Sequence, residues 1–163
     1  MLRYSVCAPI SLAMNLFVIL TCWFWAGWAA IVNQTTLPGP FSLLHTHDTD
    51  IYGSGFTNEP APKTITGRWL RAMWWMCRNP AYGFDAFVLG FPAKADAPKW
   101  AEEIGFGFFR FVSADGRRLW SYRRNIPLTG SRYCKVWFGW KPNAPTGQHM
   151  IVFDINPFKK KRI

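Results

Sequence analysis

The residue types best suited to chemistry occur together once, in His45-Thr46-His47-Asp48-Thr49-Asp50. Imidazole and carboxylate ligands at this spacing suit zinc or manganese. The cluster lacks a complement, however. Thr49 stands where the pattern His-x-His-x-Asp-His needs its aspartate, and His149 is the one histidine elsewhere. Asp48 in such a polar loop is expected to accept hydrogen bonds from nearby backbone N–H groups instead. The sequence has no Gly-rich phosphate loop, no Gly-x-Ser-x-Gly and no Cys-x-x-Cys. The reading is therefore of a non-enzymatic protein with no catalytic residue, no metal site and no cofactor. The four cysteines are Cys7 and Cys22 in the apolar N-terminal part and Cys77 and Cys134 beyond it. A Cys77–Cys134 disulfide would require an oxidising compartment.

The strongest signal is physical. From Tyr4 to His47 there is no Lys, Arg, Asp or Glu, and Pro9 to Val32 is almost wholly apolar. As a helix, that core rises about 35 Å, enough to cross a hydrocarbon layer roughly 30 Å thick. Leu12, Leu16, Phe17 and Leu20 supply its apolar body. Trp23, Trp25 and Trp28 crowd its C-terminal half, and such rings favour the water–lipid boundary. The run is longer than the apolar region of a signal peptide, so a retained anchor is expected over a cleaved signal or a helix buried in a soluble assembly. Arg3 is the only basic residue before Lys63, although the chain carries 19 Lys and Arg against 9 Asp and Glu, a net charge of +10. The rest of the chain is thus strongly cationic, which points to an anionic partner such as phospholipid headgroups or nucleic acid. The expected organisation is an anchor over residues 1–36 and a small α+β domain with a basic tail over 37–163.

A second helix is expected from an N-cap at Thr66 to about Arg78, where Asn79 precedes Pro80. Trp69, Leu70, Met73, Trp74, Met76 and Cys77 form its apolar side. Arg68, Arg71 and Arg78 mark the other, with Trp75 among them. Such a basic, tryptophan-bearing helix lies naturally in a headgroup layer; the alternative is a helix packed on the core with a solvated arginine face. A brief helix from Asp96 through Glu103 is expected next, stopped by Gly105. Four strands follow: Phe106 to Val112, Arg117 to Arg123, Tyr133 to Lys141 and Met150 to Ile155. Turns at 114–116, 127–130 and 143–147 join them into an antiparallel meander. The basic tail Lys159 to Arg162 is read as lipid-binding or solvated. The fold class is α+β: an apolar transmembrane or membrane-embedded helix, an amphipathic Trp-rich helix and a four-stranded antiparallel meander.

Gly105-Phe106-Gly107-Phe108-Phe109 superficially resembles the nucleic-acid-binding strand of cold-shock domains, which implies stacking of bases on aromatic rings. Interleaved Arg110, Arg117, Arg118, Arg123, Arg124, Arg132 and Lys135 suit that mechanism, whereas Glu102 and Glu103 stand where such domains carry lysine.

The chain also resembles a family of small proteins of unknown activity encoded by tailed bacteriophages and prophages. The motif Arg78-Asn79-Pro80-Ala81-Tyr82-Gly83-Phe84 and the run Phe138-Gly139-Trp140-Lys141 carry the resemblance. It implies viral origin and no mechanism. A structural reading of those residues is available: Asn79–Pro80 ends the helix, Tyr82 and Phe84 lock the corner, and Gly139 lets a neighbouring ring lie over the strand. The expectation is a protein attached to the host bacterial inner membrane through anionic lipid, with its body on the cytoplasmic side, acting on host envelope function. A virion component packed against other virion proteins and a nucleic-acid-binding protein are the alternatives.

Overall fold

A computed structural model describes residues 2–93, 102–105, 107–130, 132–142 and 147–160. Its first element, α1, runs Leu2–Val32 without a break at Pro9. Asn33 ends it in the left-handed region (φ 56°), and Gln34 N–H closes back on the Ala29 carbonyl at 3.0 Å. A 3₁₀ turn, Gly39–Leu44, precedes the four-residue α2, Ser54–Thr57. Next come α3, Ile65–Arg78, and α4, Tyr82–Phe87. The N-cap of α3 is Thr64, not Thr66: its hydroxyl accepts from Gly67 N–H at 3.1 Å. Thr66 already lies in the first turn, where its backbone is helical.

The chain forms two compact units, one of Pro9–Val88 and one of Met1–Ala8 with Leu89–Ile163. This division differs from the expected anchor-plus-domain boundary at residue 36. The reason is packing: Leu37, Leu44, Ile51 and Tyr52 join Val18, Cys22, Ala26 and Ala29 of α1 in one core with Ala72, Met76 and Ala81. Small residues on α1 let irregular backbone approach closely, and Tyr52 Oη donates to the Gln34 carbonyl at 2.9 Å. Trp75 lies against Gly53, whose φ is +70°; a Cβ there would sit 2.5 Å from the indole.

The second unit is built on a sheet whose strands are β1 (Phe91–Pro92), β2 (Glu102–Gly105), β3 (Phe108–Val112), β4 (Arg118–Pro127), β5 (Arg132–Lys141) and β6 (Gln148–Lys160). The order is β1-β6-β5-β4-β3-β2, antiparallel throughout. The expected four-stranded meander is β3 to β6, and β1 and β2 extend it at both edges. Glu102 and Glu103 pair with Arg110 and Phe109 in the sheet, so they do not end a helix; residues 96–101 of that expected helix lie outside the described residues. Strand β6 also outruns its expected end at Ile155, because Lys159 and Lys160 pair with Tyr133 and Arg132. Phe106, Asn143 to Thr146, Lys161 and Arg162 lie outside the described residues.

The first turns of α1 belong to this unit. Tyr4 donates its hydroxyl to the Val152 carbonyl at 2.9 Å, and its ring meets Trp120 edge-on at 5.0 Å. Trp120 in turn needs Gly139 (φ +97°): a Cβ there would stand 2.5 Å from the Trp120 carbonyl and 2.8 Å from its ring. Leu119, Trp137, Trp140, Met150 and Ile151 are buried in this unit.

Candidate membrane interface

Helix α3 is amphipathic, and two arginines of its polar side, Arg68 and Arg71, are half-buried in contacts within the unit. Arg68 donates Nε and Nη2 to the Ala30 carbonyl at 3.2 and 3.0 Å and Nη1 to the Lys63 carbonyl. Arg71 reaches the Tyr52 carbonyl at 3.0 Å, the Glu59 carboxylate at 2.7 Å and the Thr57 hydroxyl. Ala72, Trp75 and Met76 are buried beside them. Ile65, Trp69, Leu70 and Trp74 are left exposed.

This arrangement corrects three expectations. Arg68 and Arg71 do not face a headgroup layer; they hold backbone carbonyls of the same unit. Trp75 is only 3 % exposed, and its Nε1 donates to Thr46 Oγ1 at 3.0 Å. Of the alternative, packing on the core stands through Ala72 and Met76 and Arg78 is exposed, but Arg68 and Arg71 are half-buried rather than fully solvated. The physical reason is that α1 ends without a basic residue in its last turn; Arg68 supplies the cation that its terminal carbonyls attract.

Helix α1 is two-sided too. Ser11, Val18, Cys22, Ala26 and Ala29 are buried, at spacings of seven, four, four and three residues that trace one face, and Ala30 is buried beside them. Leu12, Leu16, Phe17, Leu20 and Trp23 lie exposed, Leu20 at 72 %. Trp25 and Trp28 are half-buried, packed against the core. Only 22 % of the most apolar 18-residue window of α1 is buried. Polar groups on this surface are already satisfied. Trp23 Nε1 donates to the Leu20 carbonyl at 3.0 Å and Trp69 Nε1 to the Trp23 carbonyl at 2.8 Å. The rings Trp23, Phe24, Trp28 and Trp69 with Ile31 and Ile65 line an open apolar groove of about 470 Å³. Phe87 and Val88 add to the exposed apolar surface. Ile65, Phe87 and Val88 escaped the sequence reading, since periodicity does not say which face is inside.

The family-signature residues build a corner. Asn79 caps α3 by donating its N–H to the Trp75 carbonyl at 3.0 Å. After Pro80, Ala81 turns left-handed (φ 46°), and Ala81 and Gly83 N–H groups donate to the Leu44 and His45 carbonyls at 3.2 and 3.0 Å. Tyr82 is buried and Phe84 packs on the core. Arg78 lies near the Trp74 ring, at 5.3 Å from its centroid. The histidine segment thereby serves as a brace. His45 Nε2 accepts from Leu37 N–H at 3.4 Å and is hydrogen-bonded to the Thr36 hydroxyl at 2.9 Å. Burial, with His47 beside it, pulls the His45 pKa down to about 4. Asp50, rather than Asp48, is the carboxylate that accepts backbone N–H groups, from Tyr52 and Ser54. Among the described residues no group of three His, Cys, Asp or Glu side chains could hold a metal ion. Cys77 Sγ lies 3.3 Å from Cys22 Sγ, and both are free thiols, as is Cys134.

A family model, a family of unknown function (DUF7338), matches residues 1–163. The chain belongs to this family. No curated protein and no solved structure matches it. The match spans both units, so the corner and the exposed helix faces fall within it.

One acidic group stands at the inner side of the apolar helix. Asp85 of α4 is 5 % exposed; Asn15 Nδ2 donates to its Oδ2 at 3.4 Å and Ser11 Oγ at 3.1 Å. Burial outweighs the Ser11 and Asn15 hydrogen bonds and raises the carboxyl pKa to about 7. Between its ordinary value of 3.8 and 7, the unfolded chain has released this proton while the folded chain keeps it. Folding stability therefore falls as pH rises through that window and stays lowered above it. Asp85→Asn is expected to stabilise the protein at pH 8, by up to about 2–4 kcal/mol, and to match the parent at pH 4. Unfolding curves in a non-ionic detergent at the two pH values check this; a less stable variant at pH 8 would contradict it.

Proposed function

We propose that this is a membrane-attached protein of a tailed phage or prophage, acting without catalysis at the host bacterial inner membrane. The observation that carries the reading is the outward apolar side of α3 beside the outward face of α1, with Arg68 and Arg71 half-buried against carbonyls of the same unit. A water-facing surface rarely holds so large a contiguous apolar patch. Lipid rewards it with roughly 1.5–3 kcal/mol for each large side chain covered. The geometry favours attachment within one leaflet over a lone crossing helix. The inner face of α1 is covered by irregular segments bearing exposed His47 and Asp48, and lipid-exposed irregular backbone is not tolerated in hydrocarbon. The net charge of +10 suits an anionic cytoplasmic leaflet, at about 1 kcal/mol per basic residue near the surface. Asp85 and His45, the groups with the largest shifts, are closed off in packing, which supports a role by attachment to lipid and envelope proteins rather than by chemistry.

Flotation with phosphatidylethanolamine–phosphatidylglycerol vesicles tests this. The parent chain is expected to float and to stay bound in high salt. Leu20→Glu with Phe24→Glu is expected to lose binding by more than about 100-fold, since each charge at depth costs about 2.5–3.5 kcal/mol, while keeping its helical circular dichroism. Equal binding by the variant would remove the reading.

A second reading, single-strand nucleic-acid binding, is favoured by one observation. Phe108, Tyr122, Phe138 and Phe153 stand in register across β3 to β6, with successive ring centroids 5.5, 6.5 and 5.0 Å apart. Such a ladder suits stacking worth about 1–3 kcal/mol per base. On this reading, oligonucleotide binding weakens with salt and drops at least fivefold in Phe138→Ala; binding that ignores both changes would exclude the ladder.

A further inference from the structure

Within the sheet unit, Arg3 and Arg117 converge on one aromatic ring. The Arg3 guanidinium carbon lies 4.1 Å from the Phe91 ring centroid and that of Arg117 lies 5.0 Å from the same centroid. With Arg118 they line a pocket of about 180 Å³ whose other walls are Tyr4, Phe91, Leu119, Trp120 and Trp140. That volume is several times the ~30 Å³ share of one water. Among the described residues the internal partners of these cations are few. Arg3 Nη2 donates to the Leu89 carbonyl at a long 3.4 Å, and Arg117 Nε pairs with Asp115 at 2.9 Å. Among the described residues, three arginines and one carboxylate leave an excess of two positive charges around a partly apolar hollow. The indole N–H of Trp120, a residue of the same wall, is buried with no hydrogen-bond acceptor among the described residues, a state that costs free energy. Tyr4 offers no donor, because its hydroxyl proton is on the Val152 carbonyl.

We propose that this pocket binds a phosphate monoester group, held by Arg3, Arg117 and Arg118. Guanidinium forks match phosphate oxygens in pairs, and a monoester carries close to two negative charges at neutral pH. The apolar walls lower the local dielectric and strengthen each of these contacts. The site stands independently of the lipid-facing surface of the helical unit. Its phosphate comes either from a small soluble ester or from the headgroup of a lipid such as phosphatidic acid.

The test uses ¹⁵N-labelled full-length protein in a phosphate-free maltoside detergent, reading the ten indole N–H signals, with that of Trp120 assigned by Trp120→Phe. Glycerol 3-phosphate is titrated in one arm and a short-chain phosphatidic acid in the other, at constant ionic strength. The expected result is a saturable change confined to Trp120 and its neighbours, weakened about tenfold in Arg3→Gln and in Arg118→Gln. Both arginines are exposed, and the unchanged remaining indole signals report that each variant is folded. Saturation by glycerol 3-phosphate assigns a soluble ester, and saturation by phosphatidic acid alone assigns a lipid headgroup. A Trp120 signal unmoved in both arms, or moved equally by chloride, overturns the proposal.

Discussion

The guanidinium of Arg68 on the carbonyl of Ala30 is the contact from which the helical unit follows. A charged group drawn inward must be hydrogen-bonded on most of its N–H edges, or the cost of removing it from water is not recovered. Arg68 meets that condition with carbonyls at the end of α1 and before α3; Arg71 does so with Tyr52, Thr57 and Glu59. Once both arginines are committed to the inside, Ile65, Leu70 and Trp74 have no interior left to enter. The same contacts close the C-terminal end of α1 and fix which of its faces is covered. An apolar exterior is thus the other side of a satisfied polar interior.

Much of the architecture was legible in the sequence because it rests on local rules. The charge-free run specified α1, Asn79–Pro80 specified the end of α3, and alternating residues with Gly116 and Gly130 at the turns specified β3 to β6. Orientation was not legible. The 3.6-residue period separates Arg68 and Arg71 from Leu70 and Trp74, yet it is identical whichever side faces inward. Only tertiary partners decide, and these lie at Ala30, Tyr52 and Glu59, distant in sequence. Trp75 misled for the same reason: its indole is buried because Thr46 offers an acceptor and Gly53 offers room. Strand β2 was missed because Glu102 and Glu103 disfavour a strand locally, and pairing with β3 overrides that preference.

The signature motif and the histidine segment, read separately as a corner and a candidate metal loop, are two halves of one structure. Backbone N–H groups of Ala81 and Gly83 close on the carbonyls of Leu44 and His45. That corner sets α4 so that Asp85 meets Asn15. A protonatable group is thereby placed against the covered face of α1, where the sequence shows only an aspartate in an apolar stretch. The sheet unit applies its cations differently: Arg3 and Arg117 share the Phe91 ring, whereas Lys135 and Arg123 lie over Trp137.

The claim that one face of α1 meets lipid while the opposite face meets protein is open to direct measurement. Spin labels placed singly along residues 11–31 of a cysteine-free background, in vesicles, report contact with hydrocarbon through collisions with dissolved oxygen. High collision rates at positions 12, 16, 20, 23 and 31, with low rates at 11, 18, 22, 26 and 29, would trace a 3.6-residue wave and support the account. Rates uniformly high around the helix, as for a lone crossing segment, or uniformly low with the protein remaining in the aqueous phase, would contradict it.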